Sequence, residues 1–135
     1  MRPLQRRSRT GATTVEFVFV ALPLFLLVYG AVTYGSIIMS QNVVSAAAAD
    51  GCRIASVRGK SASEVFSAVD SRLALGGVKS DAVRVKLNPS DPAGATRGQV
   101  ITVHVSIPAT DATWLNSGLF PMGFDVSAEV TQIKE

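Results

Sequence analysis

Cys52 and His104 are the only cysteine and the only histidine in this 135-residue chain, which already narrows the chemistry available to it. One thiol cannot staple a fold or build a cysteine zinc site, and one imidazole leaves no two-histidine chemistry. His104 falls on the polar side of the alternating run Ile101–Ile107, beside Thr102 and Ser106. An exposed or hydrogen-bonded histidine is expected there rather than a general base, because no orienting partner accompanies it in the pattern. Gly94 and Gly98 lack phosphate-loop spacing, and Asp91, Asp111 and Asp125 are too scattered for a calcium loop. No catalytic, cofactor-binding or metal-ligating residue is expected, and the chain does not read as an enzyme.

The residues whose spacing does invite chemistry are Gly11, Ala12 and Glu16. Glu16 stands directly before the densest apolar stretch of the chain. A carboxylate carried to a bilayer centre costs on the order of 2–3 kcal/mol, and less at the edge. No Lys or Arg lies within the apolar run, so a compensating cation does not come from this helix, and a positive group on another chain is the attractive candidate.

The element that positions these residues is a long apolar helix. Phe17 to Met39 is 23 residues with no charge, which spans about 35 Å as a helix against a hydrocarbon core of about 30 Å. The run shows no polar face, as a helix on a soluble core normally would. With 47% apolar and 17% charged residues and a mean hydropathy of +0.31, the chain is too apolar for an ordinary cytosolic domain. Arg2, Arg6, Arg7 and Arg9 precede the span, and Ser40 to Ala49 behind it carries no charge. That asymmetry places the N-terminus in the cytoplasm and everything beyond about residue 45 outside it. A secretory signal peptide is the rival reading, with Ala46–Ala48 as cleavage-type small residues. The run is longer than such signals, and Glu16 is out of place in one.

The segment Arg9-Thr10-Gly11-Ala12-Thr13-Thr14-Val15-Glu16-Phe17, with Leu22-Pro23 and Tyr29-Gly30 in the span, resembles the TadE-like minor pilins of tight-adherence (Flp-type) pili. Ala47-Ala48-Ala49-Asp50-Gly51-Cys52-Arg53 is similar to a further segment of that family, with Asp50 as its acid. The resemblance covers residues 6 to about 58 and implies a class III leader that a prepilin peptidase cuts between Gly11 and Ala12. Cleavage frees an α-amine of pKa about 8, positive at neutral pH. In an assembly the amine of one subunit can then meet Glu16 of another, turning two costly charges into a pair. The leader holds four arginines and no acid, so its removal leaves nine basic against ten acidic side chains. The chain's formal charge of +3 is thus a topology signal, with no support for a nucleic-acid partner. An uncleaved single-pass anchor carrying an extracytoplasmic binding module is the alternative.

Within the span, Pro23 removes one backbone donor and favours a kink. Ala31 and Gly35 form a small-xxx-small pair that lets helices approach closely, and Phe17 belongs to the same packing surface. Beyond Met39 the helix is expected to continue to about Val57, with Val44, Ala48, Cys52 and Ala55 as a stripe needing cover. Cys52 on that stripe is a buried small hydrophobe or the half of an intermolecular disulfide. Ser61-Ala62-Ser63-Glu64 fits a capping box. Val65, Phe66, Val69 and Leu73 line one face of a short second helix, which Gly76-Gly77 ends. Three alternating runs follow, around Val83–Leu87, Ile101–Ile107 and Phe124–Val130. Trp114 to Met122 is an apolar loop that either fills the core or faces a partner.

The fold class expected is α+β and pilin-like, with a long N-terminal helix, a short second helix and a small antiparallel sheet of about three strands. Its organisation is a leader at 1–11, a transmembrane helix at 12–39, its extracytoplasmic continuation at 40–58 and a small outer domain at 59–135. The function expected is structural, in pilus assembly, adhesion or export, at a bacterial inner membrane. Its implied partners are a prepilin peptidase, other pilin-like subunits, an inner-membrane assembly platform and the lipid bilayer.

Overall fold

The computed structural model describes residues 10–78, 81, 83–112 and 123–135, with the backbone alone for 10–12. Helix α1 runs Thr10–Ser56 and α2 Ala62–Leu75. Strands β1 (Arg84–Asn88) and β2 (Val100–Pro108) follow, then a one-turn helix α3 (Ala109–Ala112) and β3 (Asp125–Ile133). The α+β layout of long helix, short helix and three-stranded antiparallel sheet is the one expected; α3 was not foreseen. The chain divides into two compact units, Met1–Tyr34 and Gly35–Glu135.

In the first unit α1 continues without interruption past Pro23. Twelve large apolar side chains between Val15 and Val32 are exposed, Phe19 to 76%. Thr33 Oγ1 donates back to the Tyr29 carbonyl at 2.9 Å, which satisfies the hydroxyl within the helix.

In the second unit the core lies between the helices and one face of the sheet. From α1 it takes Val44, Ala47, Ala48, Cys52 and Ala55, all fully buried, so the expected stripe is the packed face. From α2 it takes Val65, Val69 and Leu73. Phe66, expected on that face, is instead exposed: the buried residues recur every four, and Phe66 sits one residue, about 100°, off that row. The sheet is a meander in the order β1-β2-β3. Ile101, Val103, Val105 and Ile107 of the central strand are buried, and the other face carries Lys86, His104 and Glu129 side by side in register.

Local signals explain the boundaries. The Glu64 carboxylate accepts the Ser61 backbone N–H at 2.9 Å and the Lys60 ammonium at 2.7 Å, fixing the start of α2. At the other end Val78 N–H donates to Leu73 O and Gly77 N–H to Ala74 O, with Gly77 at φ 74°. This is a Schellman cap, whose left-handed residue favours glycine. Two further glycines let the helices meet. A Cβ on Gly51 would come 2.7 Å from Val69 Cγ2, and one on Gly76 would collide with Val43. These contacts run α2 antiparallel to α1.

The C-terminal end of α1 is satisfied group by group. The last carbonyls of a helix lack intrahelical donors, and here Arg53 O accepts Ser56 Oγ at 2.7 Å. Ile54 O accepts Val57 N–H and Ser56 O accepts Glu135 N–H. Ala55 O accepts the Lys134 ammonium at 3.0 Å, which also donates to Val57 O and Pro92 O at 2.9 Å each. Lys134 is only 3% exposed, so the residue that follows β3 closes the helix end from inside the core.

Candidate functional site

The residues singled out by sequence sit on α1. Gly11 and Ala12 lie in its first turn. Glu16 and Phe17 follow with exposed side chains, and no basic group among the described residues pairs with Glu16. Pro23, Ala31 and Gly35 are exposed as well. A Cβ at Gly35 would meet nothing within 4 Å, so its surface is open to a neighbour. Arg2, Arg6, Arg7 and Arg9 lie outside the described residues, as does the Trp114–Met122 loop. Burial of a Phe or Leu side chain is worth about 1.5–3 kcal/mol, so a helix with twelve such groups uncovered needs lipid or other helices around it. By length and composition α1 is a candidate membrane span.

The second half of α1 is built for packing on its own chain. Gln41 Nε2 donates to Ser127 O at 3.0 Å, and the buried Ser40 hydroxyl donates to the Ala112 carbonyl at the end of α3. Asp50 reaches Arg72 of α2 at 3.5 Å, and Gly51 leaves no room for a side chain against Val69 of α2. Cys52 is fully buried with its Sγ 3.6 Å from Ile101 O. Burial pushes its thiol up, against a smaller opposing pull from the Gln132 and Val103 backbone. A protonated, inaccessible thiol is a poor nucleophile, so Cys52 takes the buried-hydrophobe role and not that of an intermolecular disulfide.

Residues 11–53 match the family model of TadE-like proteins. Over that stretch the chain is similar to TadE-like proteins. The match begins at the Gly11 junction, takes in the whole apolar run, and ends three residues short of the end of α1. The TadE-like segment therefore contains both the exposed surface of α1 and the stripe on which the outer core is built. The resemblance read from the Gly11–Glu16 motif is the one the match finds. No curated protein and no solved structure matches the chain.

Two residues important to this arrangement have no packing role in the sequence reading. Gly51 had a signal: a glycine inside an alanine-rich helix costs about 1 kcal/mol and usually has a packing reason. Lys134 had none, since a lysine after a strand looks like any solvated end. His104 also departs from expectation. It is half-buried, and its Nδ1 is enclosed without a hydrogen-bond partner.

Proposed function

We propose that this chain is a minor pilin-like subunit of a tight-adherence pilus or related secretion apparatus, and that its role is structural. The observation that supports this most is that the TadE-like match opens at Gly11 and coincides with a helix whose apolar side chains its own chain leaves uncovered. The chain inserts in a bacterial inner membrane with Arg2 to Arg9 in the cytoplasm. A prepilin peptidase cuts after Gly11, and Ala12 becomes the new N-terminus. Glu16, then the fifth residue, pairs with the free amine of a neighbouring subunit. This pairing takes both charges out of an unfavourable setting at once. The apolar helix packs among other pilin-like helices through Phe17 and the Ala31–Gly35 face, with the inner-membrane assembly platform as a further partner. The chain beyond about residue 45 is displayed outside the membrane for adhesion or export.

Mass spectrometry of the membrane-extracted protein tests the processing step. An N-terminal peptide starting at Ala12 is expected, and one starting at Met1 overturns it. Glu16→Ala tests the pairing: reduced recovery in sheared filaments is expected, whereas wild-type incorporation refutes it.

A further inference from the structure

Between α1 and α2, within the Gly35–Glu135 unit, runs a shallow groove of about 420 Å3 lined by Met39, Val43, Arg72, Leu75 and Gly76 among others. Two of its apolar residues are left open. Leu75 is 82% exposed and Met39 66%. An exposed leucine at the end of a 14-residue helix gains nothing from water, and its position relative to the apolar run suggests what covers it.

Met39 is the last residue of that run. A helical run about 35 Å long overshoots a hydrocarbon core of about 30 Å, so its end reaches into the headgroup layer, roughly 5–7 Å deep on each side. Val43 is one turn further out, about 6 Å along the axis. Because Gly76 packs on Val43 and α2 is antiparallel to α1, the C-terminal end of α2 comes down beside Met39 and Val43. With α1 read as the span, that end of α2 carrying Leu75 falls at the depth of the headgroup layer. Arg72, one turn back, also lines the groove. Its ion pair with Asp50 is 3.5 Å long with both side chains about half exposed, an arrangement worth about 0–1 kcal/mol. A long arginine stem can bend toward a phosphate and give that pair up at little cost.

We propose that the Met39–Leu75 end of this groove is a membrane-contact site, with Leu75 seated at the acyl–headgroup boundary and Arg72 on phospholipid phosphate. The α2 C-terminus is then a second foothold on the bilayer, fixing the roll of the outer unit about α1. This rests on the reading of α1 as a membrane span, and the test separates the two.

Single cysteines at Leu26, Ser63 and Leu75, in a Cys52→Ala background, carry an environment-sensitive fluorophore. The full chain is reconstituted in vesicles of phosphatidylethanolamine and phosphatidylglycerol containing lipids spin-labelled at the headgroup or deep in the acyl chain. Loss of fluorescence is expected at Leu26→Cys with the deep label and at Leu75→Cys with the headgroup label, with none at Ser63→Cys at the far end of α2. Replacing Arg72 by Gln is expected to reduce the quenching at position 75 in these anionic vesicles. Quenching at 26 without quenching at 75 overturns the membrane-contact site and leaves the span standing. No quenching at 26 overturns both. A blue-shifted but unquenched probe at 75 overturns the proposal in favour of a second protein chain in the groove.

Discussion

Replacing Lys134 by Met keeps a stem of similar length and removes the ammonium that closes the outer end of α1. Three carbonyls lose their donor at once: Ala55 O, Val57 O and Pro92 O. A hydrogen bond to a charged group contributes about 1.5–3 kcal/mol, and a buried acceptor left unmet costs about 1–3 kcal/mol. The charge sits at the negative end of the helix dipole, for a further 0.3–1 kcal/mol or so. Against this stands the relief of no longer burying an ammonium, several kcal/mol on its own. Val57 is itself exposed, so water can reach part of the site. The balance is a loss of about 2–4 kcal/mol. For a unit of this size 1 kcal/mol moves Tm by about 4 °C, so Lys134→Met lowers the midpoint by about 8–16 °C. Circular dichroism at 222 nm on the detergent-solubilised full chain measures it, and hydrogen exchange localises it, with faster exchange expected in the last turn of α1. A Tm drop below about 4 °C with unchanged exchange there refutes the reasoning and makes Lys134 a tolerated burial.

Gly51→Ala places a methyl 2.7 Å from Val69 Cγ2; overpacking of about 1–3 kcal/mol outweighs the gain of about 1 kcal/mol in helix propensity, and Val69→Ala is expected to rescue it in a double-mutant cycle. Hydrogen bonds from Lys60 first and the Ser61 backbone second hold the Glu64 carboxyl below its ordinary range. Its stabilising contribution is therefore present above the unfolded carboxylate pKa and is lost as pH falls through the lowered folded value. Glu64→Gln should flatten that acid limb in urea titrations between pH 3 and 6, and an unchanged limb would exclude the cap as its source. Cys52 is expected to react with a thiol reagent at least a hundredfold more slowly in the folded protein than in denaturant, as burial demands; equal rates would show the stripe to be open.

The helical half of the fold was legible because its signals are local. The charge-free run, the recurrence of Val44, Ala48, Cys52 and Ala55 every three or four residues, and the Ser61–Glu64 cap all act within a turn or two of themselves. Strands β2 and β3 were legible by alternation. Phe66 misled because an apolar residue beside a buried row looks like part of it until the crossing of α2 over α1 is known. Lys134 and α3 were hidden for another reason: their partners lie 42 to 79 residues away, and no pattern of spacing encodes which carbonyls a distant ammonium or hydroxyl will meet. Of the candidate site, the TadE-like resemblance and the apolar run were readable from the order of small residue, acid and apolar stretch.

The closure of α1 by Lys134 also sets an order of events. Ribosomes make Ala55 and Val57 long before Lys134, so the outer end of the helix exists for a time with carbonyls that only the chain's last strand segment can answer. Until that segment arrives and docks, the final turn can fray and the groove for β3 stands empty. The helix is made first, and the closing of its C-terminal end has to wait for the segment that follows β3.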